Sequence, residues 1–170
     1  EEIARQLGIE FKLFQLPGMA SENQIIELIL DLSRNKHIHG IVVQLPLPKD
    51  FDRGKIIKTL DPKKDVDGFL GKTPAPTPSA ILEILKYYNI DYKSKKICII
   101  GKGFLVGAPL EKLFLSQGLE PLVCDSKTTD LKGKLLASDI IISATGAPGL
   151  IKPDMVNEDT IIIDAGTSEL

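Results

Sequence analysis

The strongest constraint on the fold is an alternation of short apolar, β-branched runs with longer amphipathic segments. The runs in the C-terminal half lie at residues 96–100, 121–124, 140–144 and 160–164. They are apolar along most of their length rather than at every second position, which is typical of parallel strands buried on both faces of a sheet. Because parallel strands need helical crossovers, the pattern predicts an α/β fold with a Rossmann-like parallel sheet in the C-terminal part.

A further run at residues 41–45 is predicted to be a buried strand of an incomplete N-terminal α/β domain. Gln44 interrupts this run, and a buried amide lowers stability unless it is hydrogen-bonded. Apolar spacing and capping residues predict helices at residues 22–33 after Ser21, 80–88 after Ser79, 106–116, 131–137 and 154–156.

Three prolines between residues 73 and 78 separate the two parts. Such a density of proline is excluded from helix interiors and central strands. We therefore predict a stiff junction at 73–78 between an N-terminal domain at 1–72 and a C-terminal domain at 79–170.

Charge and composition exclude several classes of function. The formal net charge of −2 gives no bulk attraction to nucleic acid or to an anionic membrane. No apolar run approaches the roughly 20 residues of a membrane-spanning helix. Two cysteines do not make a disulfide framework, which favours a reducing cytoplasm, and two histidines without a Cys-x-x-Cys pair predict no metal site.

A glycine-rich turn follows the run at 96–100 and reads Gly-Lys-Gly-Phe-Leu-Val-Gly from Gly101 to Gly107. Gly101 permits a tight turn off the strand, Gly103 lets the backbone approach a phosphate, and Gly107 lets the next helix pack closely. The helix N-terminus then offers N–H groups to an anion. The turn predicts a dinucleotide site, although its spacing is one residue longer than the common fingerprint.

The order of residues after the turn supports this prediction. Asp125 stands 24 positions after Gly101, near the place of the acidic residue that holds a ribose diol in NAD sites. Small residues follow the later strands, as expected where a cofactor crosses the end of a sheet. The predicted cofactor-binding residues are Gly101, Lys102, Gly103, Val106, Gly107, Asp125, Ser126, Thr145, Gly146, Gly166 and Thr167.

Five segments in a fixed order give the sequence a family resemblance. They read GIVVQLPLP, DPKKDVDGF, APTP, GKGFLVGAP and ATGAPGLI followed by IIIDAG. Together they resemble the bifunctional methylenetetrahydrofolate dehydrogenase/methenyltetrahydrofolate cyclohydrolase family. The pairing of QLPLP with KDVDGF is specific, whereas the glycine turn alone would not be.

The resemblance implies a two-domain cytoplasmic enzyme, usually a homodimer, that binds folate in a cleft and NAD(P) on its C-terminal domain. It implies oxidation of 5,10-methylenetetrahydrofolate by hydride transfer and hydrolysis of the methenyl product to 10-formyltetrahydrofolate. Gln44 and Asp67 match the family's catalytic residues: the glutamine sits beside the catalytic lysine, and the carboxylate anchors the pterin. The substrate-binding residues implied are Gln44, Pro46, Leu47, Asp67, Thr77 and Pro78.

The departures from the family pattern leave alternatives open. The family's Tyr-x-x-x-Lys motif stands upstream of the position of Glu1, so we assign no catalytic lysine. NADP is the family default, but Lys102 replaces the family's arginine and Asp125 stands where a histidine is usual, which also allows NAD. A truncated or inactive folate- and nucleotide-binding module, or an unrelated Rossmann dehydrogenase, is the alternative to the bifunctional enzyme.

Overall fold

The computed structural model describes residues 1–166, and the contacts within the chain divide it into two units. The division falls between Lys64 and Asp65, earlier than the boundary at 72 that the proline run suggested. It lies inside the KKDVDGF segment, so that segment contributes residues to both units.

The N-terminal unit contains the helices α1 (Glu2–Gln6), α2 (Glu22–Arg34) and α3 (Arg53–Ile57). Helix α2 confirms the helix predicted at 22–33. It begins at a capping box, in which the Gln24 N–H donates to Ser21 Oγ at 3.3 Å and the Ser21 N–H donates to Gln24 Oε1 at 2.8 Å. This reciprocal pair satisfies N–H groups that the first helical turn leaves without partners.

The strand predicted at 41–45 is wrong. Only Ile41 is paired, through its N–H to the Lys64 carbonyl at 2.7 Å. Ile41 and Val43 are buried while Val42 and Gln44 are exposed, so the segment is extended and buried on one side. A strand needs a neighbouring ladder, and among residues 1–64 no ladder forms beside this segment. Gln44 is therefore not the buried amide that the apolar run predicted.

The C-terminal unit contains a parallel sheet of four strands in the order β2–β1–β3–β4. The strands are β1 (Ile97–Ile100), β2 (Leu122–Cys124), β3 (Ile140–Ser143) and β4 (Ile161–Asp164). The helices are α4 (Pro76–Tyr87), α5 (Gly107–Ser116) and α6 (Leu131–Leu136), with 3-10 turns at Tyr92–Ser94 and Pro153–Met155. The predicted Rossmann-like α/β sheet is confirmed, and Pro153 opens a 3-10 turn where a short helix was predicted at 154–156.

Helix α4 begins four residues earlier than predicted and includes part of the proline run. Pro76 and Pro78 occupy its first turn, where a proline loses no helical hydrogen bond. Ser79 is consequently inside the helix and does not cap it, since its hydroxyl donates to the Ala75 carbonyl at 2.9 Å.

Helices cover both faces of the sheet. On one face, α4 and α5 pack on β1 and β3 through a core that includes Leu85, Ile99, Phe114 and Ile142. On the other face, α6 packs through Leu135 against side chains of β1, β2 and β3. This double cover explains why β1 and β3 are buried along their whole length. In edge strand β4, partly buried residues alternate with exposed ones.

Residues 1–166 contain neither a membrane-spanning helix nor a cluster of potential metal ligands. No helix there is long and apolar enough to cross a membrane. No group of three or more histidine, cysteine or acidic side chains comes together there in a way that could hold a metal ion.

Candidate functional site

The carboxyl ends of the strands form the candidate site. From β1 the chain crosses to β2 on one side and then returns to β3 on the other, so the order of the sheet reverses at β1. Ligands of open parallel sheets bind outside the carboxyl ends of the strands at such a point. The predicted glycine turn leaves β1 there.

Two glycines of this turn are required by their surroundings. Gly101 has a φ of +99°, and a Cβ there would stand 2.8 Å from both the Ala144 carbonyl oxygen and the Thr145 side chain. A Cβ on Gly107, the first residue of α5, would overlap the Gly101 carbonyl oxygen. The turn thus packs against the end of β3 and the start of α5 without room for side chains, as predicted.

Gly103 differs from these two because it faces open space. A Cβ there would meet nothing within 4 Å, and its backbone φ is not in the left-handed region. Its carbonyl accepts the Ala108 N–H at 3.0 Å, which ties the turn to the start of α5. Folding alone does not require a glycine at this position, whereas the close approach of a ligand would.

The end of β3 carries a polar atom that the fold does not satisfy. Thr145 Oγ1 is buried and has no hydrogen-bond partner in the described part of the chain. The carbonyl of the same residue lies so close to Gly166 that a Cβ on that glycine would overlap it. A buried hydroxyl without a partner lowers stability, so the fold alone does not account for a threonine at position 145.

Lys102 and Asp125 lie at the same carboxyl edge of the sheet. Lys102 Nζ forms an ion pair with Glu111 of α5, at 3.2 Å from Oε2. The Gly101 N–H donates to the Cys124 carbonyl at 2.7 Å, so the glycine turn and Asp125 leave the sheet next to each other. Both Asp125 and Ser126 are exposed.

The KDVDGF turn presents two carboxylates in different environments. Asp65 is buried, and its two oxygens accept the N–H groups of Phe69 at 3.1 Å and Leu70 at 2.7 Å. Asp67 is partly exposed and makes no hydrogen bond within residues 1–166. Burial, and to a lesser extent the charge of Asp65, raise the pKa of Asp67 above its usual value. Asp65 thus holds the turn while Asp67 remains available to a ligand.

An aromatic contact joins this turn to the glycine turn. The ring centroids of Phe69 and Phe104 are 5.4 Å apart, with the planes tilted by 33°. Asp67 therefore belongs to the same unit as the predicted cofactor residues and lies on a turn that contacts theirs. The Phe69–Phe104 contact and the role of Glu111 were not predictable from the sequence, since no spacing rule connects residues that meet only in the fold.

The predicted Thr-Pro pair is divided between surface and interior. Thr77 is exposed in the first turn of α4, whereas Pro78 is fully buried. Of the two, only Thr77 is accessible to a ligand in this conformation, and Pro78 contributes to packing.

The remaining predicted substrate residues belong to the N-terminal unit. Gln44 Nε2 donates to the Leu45 carbonyl at 3.0 Å, which leaves Oε1 without a partner in the described structure. The Leu45–Pro46 peptide bond is cis. Pro46 is exposed and Leu47 is partly buried.

Lys64, which precedes the two carboxylates, has a structural role in that unit. Its Nζ donates to the carbonyls of Leu32, Ser33 and Asn35 at 3.1, 2.6 and 2.7 Å. These carbonyls end α2, where a cation also complements the helix dipole.

The structure therefore brings one subset of the predicted cofactor residues together at the reversal point of the sheet. Gly107 lies against Gly101, Gly101 against Thr145, and Thr145 against Gly166, and Asp125 follows the residue that pairs with the glycine turn. Val106 precedes α5 and packs against the core beneath the turn, and Gly146 is exposed. Thr167 lies outside the described residues.

Comparison with known families agrees with this geometry. Residues 1–67 match the family model described as tetrahydrofolate dehydrogenase/cyclohydrolase, catalytic domain. Residues 75–170 match the model for the NAD(P)-binding domain of the same family. The chain belongs to the tetrahydrofolate dehydrogenase/cyclohydrolase family. The resemblance carried by QLPLP and KDVDGF is confirmed.

Curated members of this family are similar over almost the whole chain. "Bifunctional protein FolD" of Aquifex aeolicus is 42% identical over an alignment of 177 positions, which covers 97% of this chain and 61% of that protein. The protein of the same name from Exiguobacterium sibiricum is 37% identical and is matched over 100% of this chain and 65% of its own length. The chain thus spans less than two thirds of the length of these relatives.

Solved structures of the family have the same fold. The bifunctional FolD enzyme of Campylobacter jejuni superposes with a TM-score of 0.92 at 33% identity, covering 97% of this chain and 63% of that one. The Trypanosoma brucei FolD, which was solved with NADP and an inhibitor, gives 0.92 at 27% identity over 98% and 61%.

Proposed function

We propose that this protein oxidises 5,10-methylenetetrahydrofolate with NAD(P) and hydrolyses the methenyl product to 10-formyltetrahydrofolate. The observation that carries the proposal is the Thr145 hydroxyl, which is buried without a partner among residues 1–166 and lies beside Gly101 and Gly166 at the reversal point of a parallel sheet. A site of this kind is fitted to a dinucleotide, and the family match supplies the substrate class.

The residues present fit NAD(P). Gly103 offers open space for a phosphate beside the N-terminus of α5, whose N–H groups favour an anion. Asp125, which follows β2 beside the glycine turn, would bind a ribose, and the Thr145 hydroxyl would donate or accept a hydrogen bond at the end of β3. When bound, NAD(P) would accept the hydride from the methylene carbon, while this chain supplies orientation and electrostatics.

Asp67 would bind the pterin ring through its carboxylate. The amino-pyrimidine part of a pterin presents adjacent N–H donors, and a carboxylate accepts two of them in one plane. Partial burial has already removed water from Asp67 and raised its pKa, so donors arriving from a ligand stabilise a charge that the fold leaves poorly compensated.

Gln44 would act through its free oxygen. Since Nε2 is bound to the Leu45 carbonyl, Oε1 is oriented as an acceptor for an ammonium group or a water molecule. In the hydrolytic step water attacks a carbon that is already electrophilic, so one acid–base group oriented by such an amide is sufficient.

The family resemblance also supports a homodimer, and two buried free cysteines suit a reducing cytoplasm. Sedimentation equilibrium of the purified protein should give twice the mass of the chain. A monomer over the micromolar range would contradict the dimer.

Two glycine variants test whether the turn is a ligand site rather than only a structural one. Gly107→Ala should lower the free energy of unfolding by about 1–3 kcal/mol, because its methyl group overlaps backbone. Gly103→Ala should leave stability within about 0.5 kcal/mol and still weaken NAD(P) binding at least tenfold, because its methyl group fills the space of a phosphate. Urea unfolding and isothermal calorimetry measure the two quantities. Unchanged nucleotide affinity in Gly103→Ala would contradict the site.

Turnover tests the complete activity. The protein should form NAD(P)H from methylenetetrahydrofolate, and Asp67→Ala and Gln44→Ala should each lower kcat/KM at least tenfold through lost charge-assisted or orienting hydrogen bonds. Nucleotide affinity serves as the control and should stay unchanged in both variants. Wild-type turnover in both variants would overturn the two assignments, and nucleotide and folate binding without turnover would overturn the enzymatic proposal.

A further inference from the structure

We propose that the nucleotide site selects NAD over NADP, with Asp125 as the residue that determines this specificity. The inference rests on the proposed function and narrows its cofactor. Three observations support it: the position of Asp125 at the end of β2, the hydrogen bonds that hold its carboxylate, and the ion pair that neutralises Lys102.

Asp125 lies beside the glycine turn. Residue 124 pairs in register with residue 100, and the Gly101 N–H donates to the Cys124 carbonyl at 2.7 Å. The next residues on each strand, Gly101 and Asp125, therefore leave the carboxyl edge of the sheet together. In sheets of this topology, the group that follows the second strand meets the ribose of the nucleotide.

The carboxylate of Asp125 is held by its own turn. Oδ1 accepts the Lys127 N–H at 2.9 Å and the Thr128 hydroxyl at 3.3 Å, and the Asp125 N–H donates to Thr128 Oγ1 at 2.8 Å. Oδ2 has no partner within residues 1–166. A fixed carboxylate with one open acceptor oxygen suits a ribose diol, which donates hydrogen bonds. A 2′-phosphate at the same place would put negative charge against negative charge.

The lysine of the glycine turn does not offset this charge. Lys102 Nζ is 3.2 Å from Glu111 Oε2 and 3.4 Å from its Oε1, so its charge is matched by a partner on α5. Lys127 is the other nearby cation, and its side chain is exposed. A single exposed lysine contributes little to binding through water, so the charge of Asp125 is not offset by Lys102 or Lys127.

Calorimetric titration of the full chain with NAD and with NADP tests the inference. The expected result is that NAD binds at least tenfold more tightly. Asp125→Asn keeps an oxygen for the turn and removes the charge, so it should reduce the preference at least fivefold, chiefly by improving NADP binding. Glu111→Gln should improve NADP binding as well, because it releases Lys102.

A matched control separates local from general charge effects. Glu120→Gln removes an exposed carboxylate just before β2, at the opposite end of that strand, and should leave the NAD to NADP ratio unchanged. Equal or tighter binding of NADP by the wild type, or an unchanged ratio in Asp125→Asn, would overturn the inference and leave the nucleotide site standing. Binding of neither nucleotide would overturn both.

Discussion

Two carboxylates in one turn, Asp65 and Asp67, have different tasks because their surroundings differ. Asp65 is 2% exposed and uses both oxygens to accept backbone N–H groups. Asp67 accepts no hydrogen bond within the described chain and has a raised pKa. Asp65 therefore stabilises the fold, whereas Asp67 is the carboxylate proposed to bind a ligand. Replacing each with asparagine should change the free energy of unfolding in opposite directions.

Asp65→Asn should lower the free energy of unfolding by about 1–3 kcal/mol, because the asparagine NH₂ must face one of the two backbone N–H groups that the carboxylate satisfied. Asp67→Asn is the matched control. Its effect at pH 7 should be under about 1 kcal/mol, since Asp67 is partly exposed, and should favour stability.

The pH dependence follows from the sign of the shift. The raised pKa of Asp67 means that the folded state holds its proton more tightly than the unfolded state, so Asp67 favours folding below its ordinary value of 3.8. That contribution is lost as pH rises through the folded pKa. Urea unfolding between pH 3 and 7 should therefore show a smaller loss of stability with rising pH in Asp67→Asn. An identical pH profile in the variant would contradict the shift.

Residue-level chemistry was predictable from the sequence where it depended on neighbours in the chain. The glycines at 101 and 107 were recognised from spacing, and the structure gives each one a backbone reason. Burial of Gln44 was predicted wrongly, because it depended on strands that would have to pair beside it. The Lys102–Glu111 pair was not predicted, since it joins a turn to a helix across nine positions.

At the scale of elements, local signals fixed most boundaries in the C-terminal unit. Strands β1 to β4 lie within the predicted runs, and α2, α5 and α6 begin within one residue of the predicted starts. Helix α4 begins four residues before its predicted start, because the first turn of a helix accepts the prolines that its interior excludes. The apolar run at 41–45 shows that composition alone does not make a strand without a partner.

The sheet also places two cysteines together, and this gives a prediction for the element. Cys98 of β1 and Cys124 of β2 are fully buried with their sulfurs 3.6 Å apart. Burial, with a smaller effect from Cys124, raises the pKa of Cys98 to about 12. Neither thiol should react with a disulfide reagent at pH 8 in the folded protein, and both should react in urea, because both side chains are buried until the chain unfolds.

Leu115→Cys provides the control, since Leu115 is exposed on α5 and its thiol should react at once in the folded state. Reaction of Cys98 or Cys124 at the same rate would contradict the buried pair. Because the raised pKa favours the neutral thiol in the folded state, the stability that Cys98 contributes should be lost as pH rises from about 9 towards 12.

At the scale of the whole molecule, the buried residues are unevenly distributed. Strands β1 and β3 are buried throughout, whereas α1 has no buried residue. Local opening requires least free energy where few apolar contacts are lost. The free energy of local opening should therefore differ strongly between segments of the chain.

Hydrogen exchange measures this variation. Amides of β1 and β3 should exchange slowest, with protection roughly a thousandfold above that of α1. Ile141→Val, which deletes one methylene from a fully buried position in β3, should speed exchange in the sheet without changing exchange in α1. Equal protection of α1 and β1 would contradict the distribution.

Lys64 donates hydrogen bonds to three carbonyls at the end of α2, and these bonds exclude a role for this lysine as a base. Three donated hydrogen bonds require three N–H protons, so the nitrogen has no lone pair to offer while the helix end is intact. Lys64 is therefore excluded as the general base for a folate reaction, despite standing three residues before the carboxylate proposed to hold the pterin. Its charge stabilises the C-terminal end of α2. Acylation of its amine would therefore destabilise that helix end rather than stop a proton transfer.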